Sequence, residues 1–240
     1  MRQMNVTALS GPLAVRIETA PPPPAPEVLA RVAALWRAEK AKRGDALFDG
    51  RLFSISRLAP PLVTGWLAPY SWYVAQRLDP ALRAGLGLRP LGVTGIMICD
   101  EGIVFGRRAS TVTTDHDLWE LAPSGGVDGE FLTPDGDIDL AAQILNELTE
   151  ETGLPTALVT APPRPVALVE DGASLVTDIG LQLRLGCGAA AVRAAFAALA
   201  SQEYTELAVV APADLDAFMA AADNGVGRVS RGLIDMLALS

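Results

Sequence analysis

"NELTEETGL", residues 146–154, places three glutamates, Glu147, Glu150 and Glu151, just ahead of a glycine, Gly153. At helical spacing the three carboxylates fall within an arc of roughly 100° on one face. Ala141, Ile144, Leu145 and Leu148 fill the adjoining sector. A helix over about 138–152 is therefore expected to lay an apolar stripe on a sheet and to carry an acidic stripe beside it. Asp137 is the expected N-cap and Gly153 the expected C-terminal stop. Like charges at these spacings weaken an isolated helix by about 0.2–0.5 kcal/mol per pair. Solvation on an open surface offsets that cost. So does a hard divalent cation such as Mg²⁺ or Mn²⁺, which prefers carboxylate oxygens and also clamps phosphate oxygens.

The segments around this helix read as alternating strands and helices. "LGVTGIMICDEGIVFGRRAS" is two apolar strands joined at Asp100-Glu101-Gly102, a hairpin signal. "LWELAPSGGVDG" is a strand running into a loop, where Gly125 and Gly126 suit a tight turn as well as a close approach of the backbone to a ligand or metal. Beyond the acidic helix, "RPVALVEDGASLVTDIGLQLRLG" reads as two strands, "AAVRAAFAAL" as a helix and "YTELAVVAPADL" as a strand. "DLDAFMAA" starts a helix and "VSRGLIDMLAL" forms the last one. Upstream, residues 1–20 read as a strand pair and "APPPPAPE" at 20–27 as a stiff extended linker. Residues 27–44 form a helix ended by Gly44. "ALFDGRLFSISRLA" reads as a strand or hairpin turning at Asp49-Gly50, and "SWYVAQRLDPALRAGLG" as one or two short helices. The mixture predicts an α/β (α+β) fold with a mixed sheet between helices.

Half of the 240 residues are apolar, enough for a sizeable core, and the formal net charge is −9. Bulk attraction to nucleic acid is therefore not expected, and an anionic substrate needs local arginines or a bound cation. The two cysteines, Cys99 and Cys187, show no metal-ligand spacing and read as free apolar residues. No stretch reads as a signal peptide or reaches the length of a membrane span, so a soluble cytoplasmic protein is expected. Arg107 and Arg108 end one strand, and alternation sends them to opposite sides. His116, the only histidine, reads as an exposed loop residue. Glu170, Asp171, Glu203 and Glu206 lie in or near late loops, where a further catalytic carboxylate can enter; the residues alone do not choose among them.

The run Glu-Leu-x-Glu-Glu-x-Gly-Leu, preceded by the Pro-x-Gly-Gly of "LAPSGGV", resembles the end of the Nudix box of the Nudix hydrolase superfamily. The first half of the box departs from the pattern. Asn146 stands where the box has arginine, Ile138 where it has an upstream glutamate and Leu132 where it has its first glycine. Asp137 or Asp139 can substitute for the glutamate after a one-residue shift, and Gly129-Glu130 lies too early. Stretches outside the box, among them "VAALWRAEKAKRGDALFDGRLFSIS", "RPLGVTGIMICDEGIVFGRRAS" and "GVGRVSRGLIDML", resemble the branch that hydrolyses UDP-glucose, over about residues 28–240.

That resemblance implies a Nudix-type α/β/α sandwich at 90–240 preceded by an α/β extension at 1–89. It implies metal binding by Glu147, Glu150 and Glu151, aided by Gly126, with Glu150 and Glu151 catalytic. It places Arg108 and Glu120 against substrate, and Phe53 and Tyr73 near a nucleoside. The implied activity is Mg²⁺- or Mn²⁺-dependent hydrolysis of a nucleoside diphosphate derivative, a nucleotide sugar first among them, to a nucleoside monophosphate and a sugar phosphate. ADP-ribose or dinucleotide hydrolysis and a non-catalytic nucleotide- or protein-binding module are the competing expectations, and a homodimer is compatible with the N-terminal extension.

Overall fold

The computed structural model describes residues 4–44, 47–110, 112, 115–200, 203–221 and 225–238. Its larger sheet runs β1 (Met4–Ala8), β9 (Arg164–Asp171), β10 (Val176–Arg184), β5 (Leu91–Ile98), β6 (Ile103–Arg108) and β11 (Tyr204–Val210) in spatial order. β10 and β5 pair in parallel, while β1–β9, β9–β10 and β6–β11 pair antiparallel. The sheet is thus mixed, as expected. β5 and β6 meet only where Ile98 pairs with Ile103 at the hairpin end, and then diverge. Into the gap comes residue stretch 119–126, whose first half, β7 (Trp119–Leu121), pairs with β6 and whose second half, β8 (Ser124–Gly126), pairs with β5.

Helices cover both faces. On one, α4 (Leu140–Thr152) and α5 (Ala189–Ala198) place Ile144, Leu148 and Val192 in a core with Leu91, Val93, Ile179 and Leu181. Ile144 and Leu148 are fully buried, and each such side chain stabilises by about 1.5–3 kcal/mol. On the other face, α6 (Leu215–Ala221) and α7 (Arg228–Ala238) bring Phe218, Leu233 and Ile234 against Ile96, Phe105 and Leu121. This is the α/β/α sandwich with a mixed sheet that the sequence predicts.

A smaller sheet, in the order β2 (Ala14–Ile17), β4 (Leu62–Pro69) and β3 (Arg51–Ala59), carries α1 (Pro26–Arg43), α2 (Tyr70–Leu78) and α3 (Arg83–Leu86). Leu52, Trp66 and Ala68 pack there with Val32, Ala75 and Leu82. Val15, Phe53, Ile55 and Val63 instead enter the core that α4 covers.

Three local expectations are corrected. Residues 1–20 hold two strands that do not pair with each other: β1 joins β9, whereas β2 joins β4 in parallel. The hairpin of the small sheet turns at Pro60-Pro61, not at Asp49-Gly50. Asp49 serves elsewhere, its Oδ1 accepting the Ser71 N–H at 2.7 Å where α2 begins. Finally, α4 is capped by Asp139, whose Oδ1 accepts from the N–H groups of Ala141 at 3.1 Å and Ala142 at 3.0 Å. Such a cap contributes about 1 kcal/mol. Asp137 lies too far back and pairs with Arg16, Nε to Oδ1, at 2.7 Å. Gly153 ends α4 as expected, with φ 71°.

The long connection from Gly126 to Asp139 is sewn to the small sheet. Phe53 N–H donates to Val127 O at 2.7 Å, Ile17 N–H to Gly136 O at 3.0 Å and Ile138 N–H to Val15 O at 2.7 Å. Both cysteines are free. Among the described residues no helix is long and apolar enough to cross a membrane.

Candidate functional site

Glu147 and Glu151 leave α4 one turn apart and both meet β8. The Ser124 N–H donates to Glu151 Oε2 at 2.9 Å. Glu147 lies against Gly125, where a Cβ atom would sit 2.0 Å from Glu147 Oε1. Only glycine admits the carboxylate this close to the strand. Gln143, one turn earlier, donates its Nε2–H to Glu147 Oε1 at 2.9 Å. A neutral amide on the same helix thus orients this glutamate, with Asn146 standing where the box pattern has arginine. Gln143 Oε1 is buried with no hydrogen-bond partner. Glu150 is exposed at the rim.

A second layer holds Glu120 of β7 and Arg108 of β6. Arg108 Nη1 meets Glu120 Oε1 at 2.6 Å and Nη2 meets Glu203 Oε1 at 2.8 Å. The same Glu120 Oε1 accepts from Ser124 Oγ at 2.8 Å and from Tyr204 Oη at 3.0 Å. Alternation explains Arg108: it turns inward and is 8 % exposed, while Arg107 is less buried. Of the four late acids, the fold selects Glu203 for this cluster. Glu170 faces Asn5 and Arg89, and Asp171 pairs with Arg228. Nothing local in the sequence distinguishes Glu203; its place depends on β11 pairing with β6.

Charge is concentrated here. Burial pushes the Glu147 carboxyl up to about 7, helped by Glu150, Asp128 and Glu203 and opposed by the Gln143 bond. Burial also raises Glu151 well above the usual carboxylate range, against the Ser124 N–H and together with Glu147, Glu203 and Glu120. Glu120 is raised as well, because burial outweighs Arg108. For Arg108, burial works against the charge, but the neighbouring glutamates raise its pKa on balance.

Beside this cluster is a cavity of about 490 Å³. Glu120, Arg108, Glu203 and Ser124–Gly126 line one end, while Tyr70, Tyr73, Arg51 and Arg77 line another part. The Arg77 guanidinium lies 5.6 Å from the centre of the Tyr73 ring. Glu147 and Glu151 adjoin the cavity through β8 rather than forming its wall. Of the expected nucleoside contacts, Tyr73 is in the wall. Phe53 is not: it is fully buried in the core, its ring against Gly65, and its chain neighbour Leu52 points to the cavity instead. Gly126 is in the wall, with open space where its Cβ would be. His116 is exposed, as expected, and the threonines before it lie outside the described residues.

A hard divalent ion suits the donors chemically, because Glu147 and Glu151 offer carboxylate oxygens one helical turn apart beside β8, where a cation offsets the cost that burial puts on ionising them. Among the described residues, however, no three acidic, histidine or cysteine side chains converge into a ready cage. Neither Asp137 nor Asp139 replaces the missing upstream glutamate: one is held by Arg16 and the other caps α4.

No family model matches the sequence, and no curated protein matches it. Among solved structures, the chain is similar to a Deinococcus radiodurans protein, with 15% identity over 75% of this chain and 95% of that one and a TM-score of 0.48. It is also similar to a bifunctional NMN adenylyltransferase/ADP ribose pyrophosphatase from Francisella tularensis, complexed with AMP and a Mn ion. That match has 16% identity, covers 62% of this chain and 41% of the other, and has a TM-score of 0.44. A NUDIX hydrolase from Nitrosomonas europaea shares 15% identity over 60% of this chain and 68% of its own, at a TM-score of 0.39.

Proposed function

We propose that this protein is a Mg²⁺- or Mn²⁺-dependent Nudix-type hydrolase that cleaves the diphosphate of a nucleoside diphosphate derivative, with nucleotide sugars as the preferred class. In this reading, residues 90–240 form the catalytic domain and residues 1–89 an extension that braces its long loop. The observation that carries the proposal is the pairing of two unlike ends in one cavity: an acidic end beside Glu147 and Glu151, and an aromatic, arginine-bearing part at Tyr70, Tyr73 and Arg77. A nucleotide diphosphate has matching parts, a base that stacks and phosphates that need cations.

Glu147, Glu151 and Glu150, with the Gly126 backbone, would hold the metal, which when bound neutralises the diphosphate and lowers the cost of charge on the leaving oxygen. The protein's own groups do the rest. Arg108, fixed between Glu120 and Glu203, presents a rigid cation toward phosphate. Glu203, facing the cluster from β11's start, accepts the proton of the attacking water as it bonds to phosphorus. The bridging oxygen leaves with the electron pair of the broken P–O bond, giving a nucleoside monophosphate and a sugar phosphate.

The test is a panel of UDP-glucose, other nucleoside diphosphate sugars, ADP-ribose and a dinucleotide, each with Mg²⁺ or Mn²⁺, read by product chromatography. Turnover led by a nucleotide sugar supports the reading; turnover led by ADP-ribose moves the substrate but keeps the chemistry. Binding of panel members without turnover, by folded protein, would falsify the enzyme and leave a nucleotide-binding module.

A further inference from the structure

The cavity floor contains a carboxyl for which the hydrolytic reading has no use. Asp178 sits on β10 opposite Gly92 of β5. It is a lone acid in the apolar run "LVTDIGLQL". Two residues further along β10, Gly180 is covered by Leu233 of α7, with a Cβ at that position only 2.5 Å from Leu233 Cδ2. Asp178 lies just beyond that cover, where the sheet face becomes the cavity floor with Gly92 and Thr94.

Gly92 makes the room. A Cβ there would lie 2.5 Å from Asp178 Oδ1 and 3.3 Å from Gly125 O. The carboxyl therefore leans over the glycine toward β8. Its hydrogen bond within the described protein comes from Thr94 Oγ1, at a long 3.3 Å. Burial raises its pKa to about 7, against the Thr94 bond and together with Glu120, Asp171 and Asp115. One long hydrogen bond does not offset the desolvation of a carboxyl with room for several. Asp178 shares the wall of this cavity with Tyr73 and with Glu120. One cavity thus holds this carboxyl together with the aromatic residues and the acidic cluster.

Resting on the nucleotide reading above, we propose that Asp178 is a specificity-determining residue that accepts hydrogen bonds from the ribose hydroxyls of the bound nucleotide. With a base at Tyr73 and phosphates near Arg108, the ribose falls between them. A carboxyl keeps an acceptor oxygen in either protonation state, so it meets a hydroxyl donor at any pH the fold tolerates. Gly92 and Thr94 serve this contact, the first by leaving space and the second by fixing one oxygen.

The experiment is calorimetric titration of the full chain, in Mg²⁺ buffer, with UMP and AMP and with their 2′-deoxy and 2′,3′-dideoxy counterparts. Wild-type protein binds the ribonucleotides about tenfold to a hundredfold more tightly. Asp178→Ala removes that preference by weakening the ribonucleotides and leaving the dideoxy forms unchanged. Should Asp178→Ala fail to fold, Asp178→Asn, which keeps one acceptor oxygen, loses at least about threefold of the preference. Equal binding of ribo and deoxy forms by wild type, or a preference that survives the substitution, overturns the ribose contact alone. Failure of every nucleotide to bind overturns the nucleotide reading itself, and this contact with it.

Discussion

The backbone N–H of Ser124 and the carboxylate of Glu151 are joined over 2.9 Å, which ties the acidic helix to the strand that borders the cavity. Glu151 is 9 % exposed and its pKa is raised, chiefly by burial. A carboxyl with a raised folded pKa costs stability once the pH exceeds its unfolded value of about 4.3, because the unfolded chain ionises more readily. Glu151→Gln keeps the shape and removes the buried charge. Metal-free variant is expected to melt no lower than wild type at neutral pH, while turnover falls at least about a hundredfold, a loss of an electrostatic contact in the transition state. Parallel melting curves and single-substrate kinetics check both halves, and an active Glu151→Gln protein removes this residue from the mechanism.

Gly125→Ala tests the close approach of Glu147 to β8. The new Cβ would meet the glutamate's carboxylate end, which is the far end of a flexible side chain. The glutamate can swing away, so the fold is expected to survive with a stability change under about 1 kcal/mol. Displaced from the strand, the carboxylate no longer stands where the reaction needs it, and a misplacement of this size costs on the order of a hundredfold in rate. Denaturant titration and kinetics together decide it; full activity in the variant shows that Glu147 works from another position.

Arg108 is the partner of two glutamates, and Glu120 has no comparable cation elsewhere among the contacts described. Removing the guanidinium by Arg108→Ala leaves Glu120 buried beside its two hydroxyl donors. The expected cost is about 3–5 kcal/mol in urea unfolding. Combining it with Glu120→Gln recovers a large part, since the stranded charge is gone. Equal destabilisation by the single and double variants means that packing, not charge, dominates there.

Asp171 offers a pH signature away from the glutamates. Burial works to raise its pKa, but the Ala173 N–H, Arg228 and Ser174 outweigh burial and hold it below the ordinary value. The sign follows from the unfolded chain, where an aspartate titrates near about 3.9. The carboxylate's stabilisation is fully present above that value and disappears as pH falls through the depressed folded one. Asp171→Asn is expected to cost about 1.5–3 kcal/mol at pH 7, the range for hydrogen bonds to a charged group. The gap to wild type should narrow on acidification below about pH 4. Urea unfolding across that range measures it, and a gap constant with pH removes the charge from the explanation.

Much of the frame was legible from pattern. The period of Ile144 and Leu148 foretold the apolar centre of the buried side of α4, and Gly153 marked its end, but that side also takes in Gln143 and Glu151, while Leu145 is only half-buried. Strand alternation foretold that Arg108 and Arg107 separate. The sequence places the start of α4 at about residue 138, two residues before Leu140, because Asp137 and Asp139 are both good caps in isolation. The choice falls to Arg16, which engages Asp137 from another strand. The resemblance places Phe53 near a nucleoside, but which way a strand residue faces depends on what packs against each side of its sheet, and Phe53 joins the core that α4 covers.

Sequence by itself determined the local periods: where apolar stripes repeat at helical or strand spacing, where glycine ends a helix, and which side of α4 is acidic. These follow from geometry within a few residues. Only the tertiary structure decided that Ser124, Glu120, Glu203 and Asp178 meet in the wall of one cavity. They come from β8, β7, the start of β11 and β10, and no spacing along the chain encodes their meeting. The parting of β5 from β6 opens the gap that β7 and β8 enter, bringing Gly125 against Glu147 and Ser124 against Glu151. Strand order is set by burying the most apolar surface over the whole chain, a global balance that no local window of residues contains.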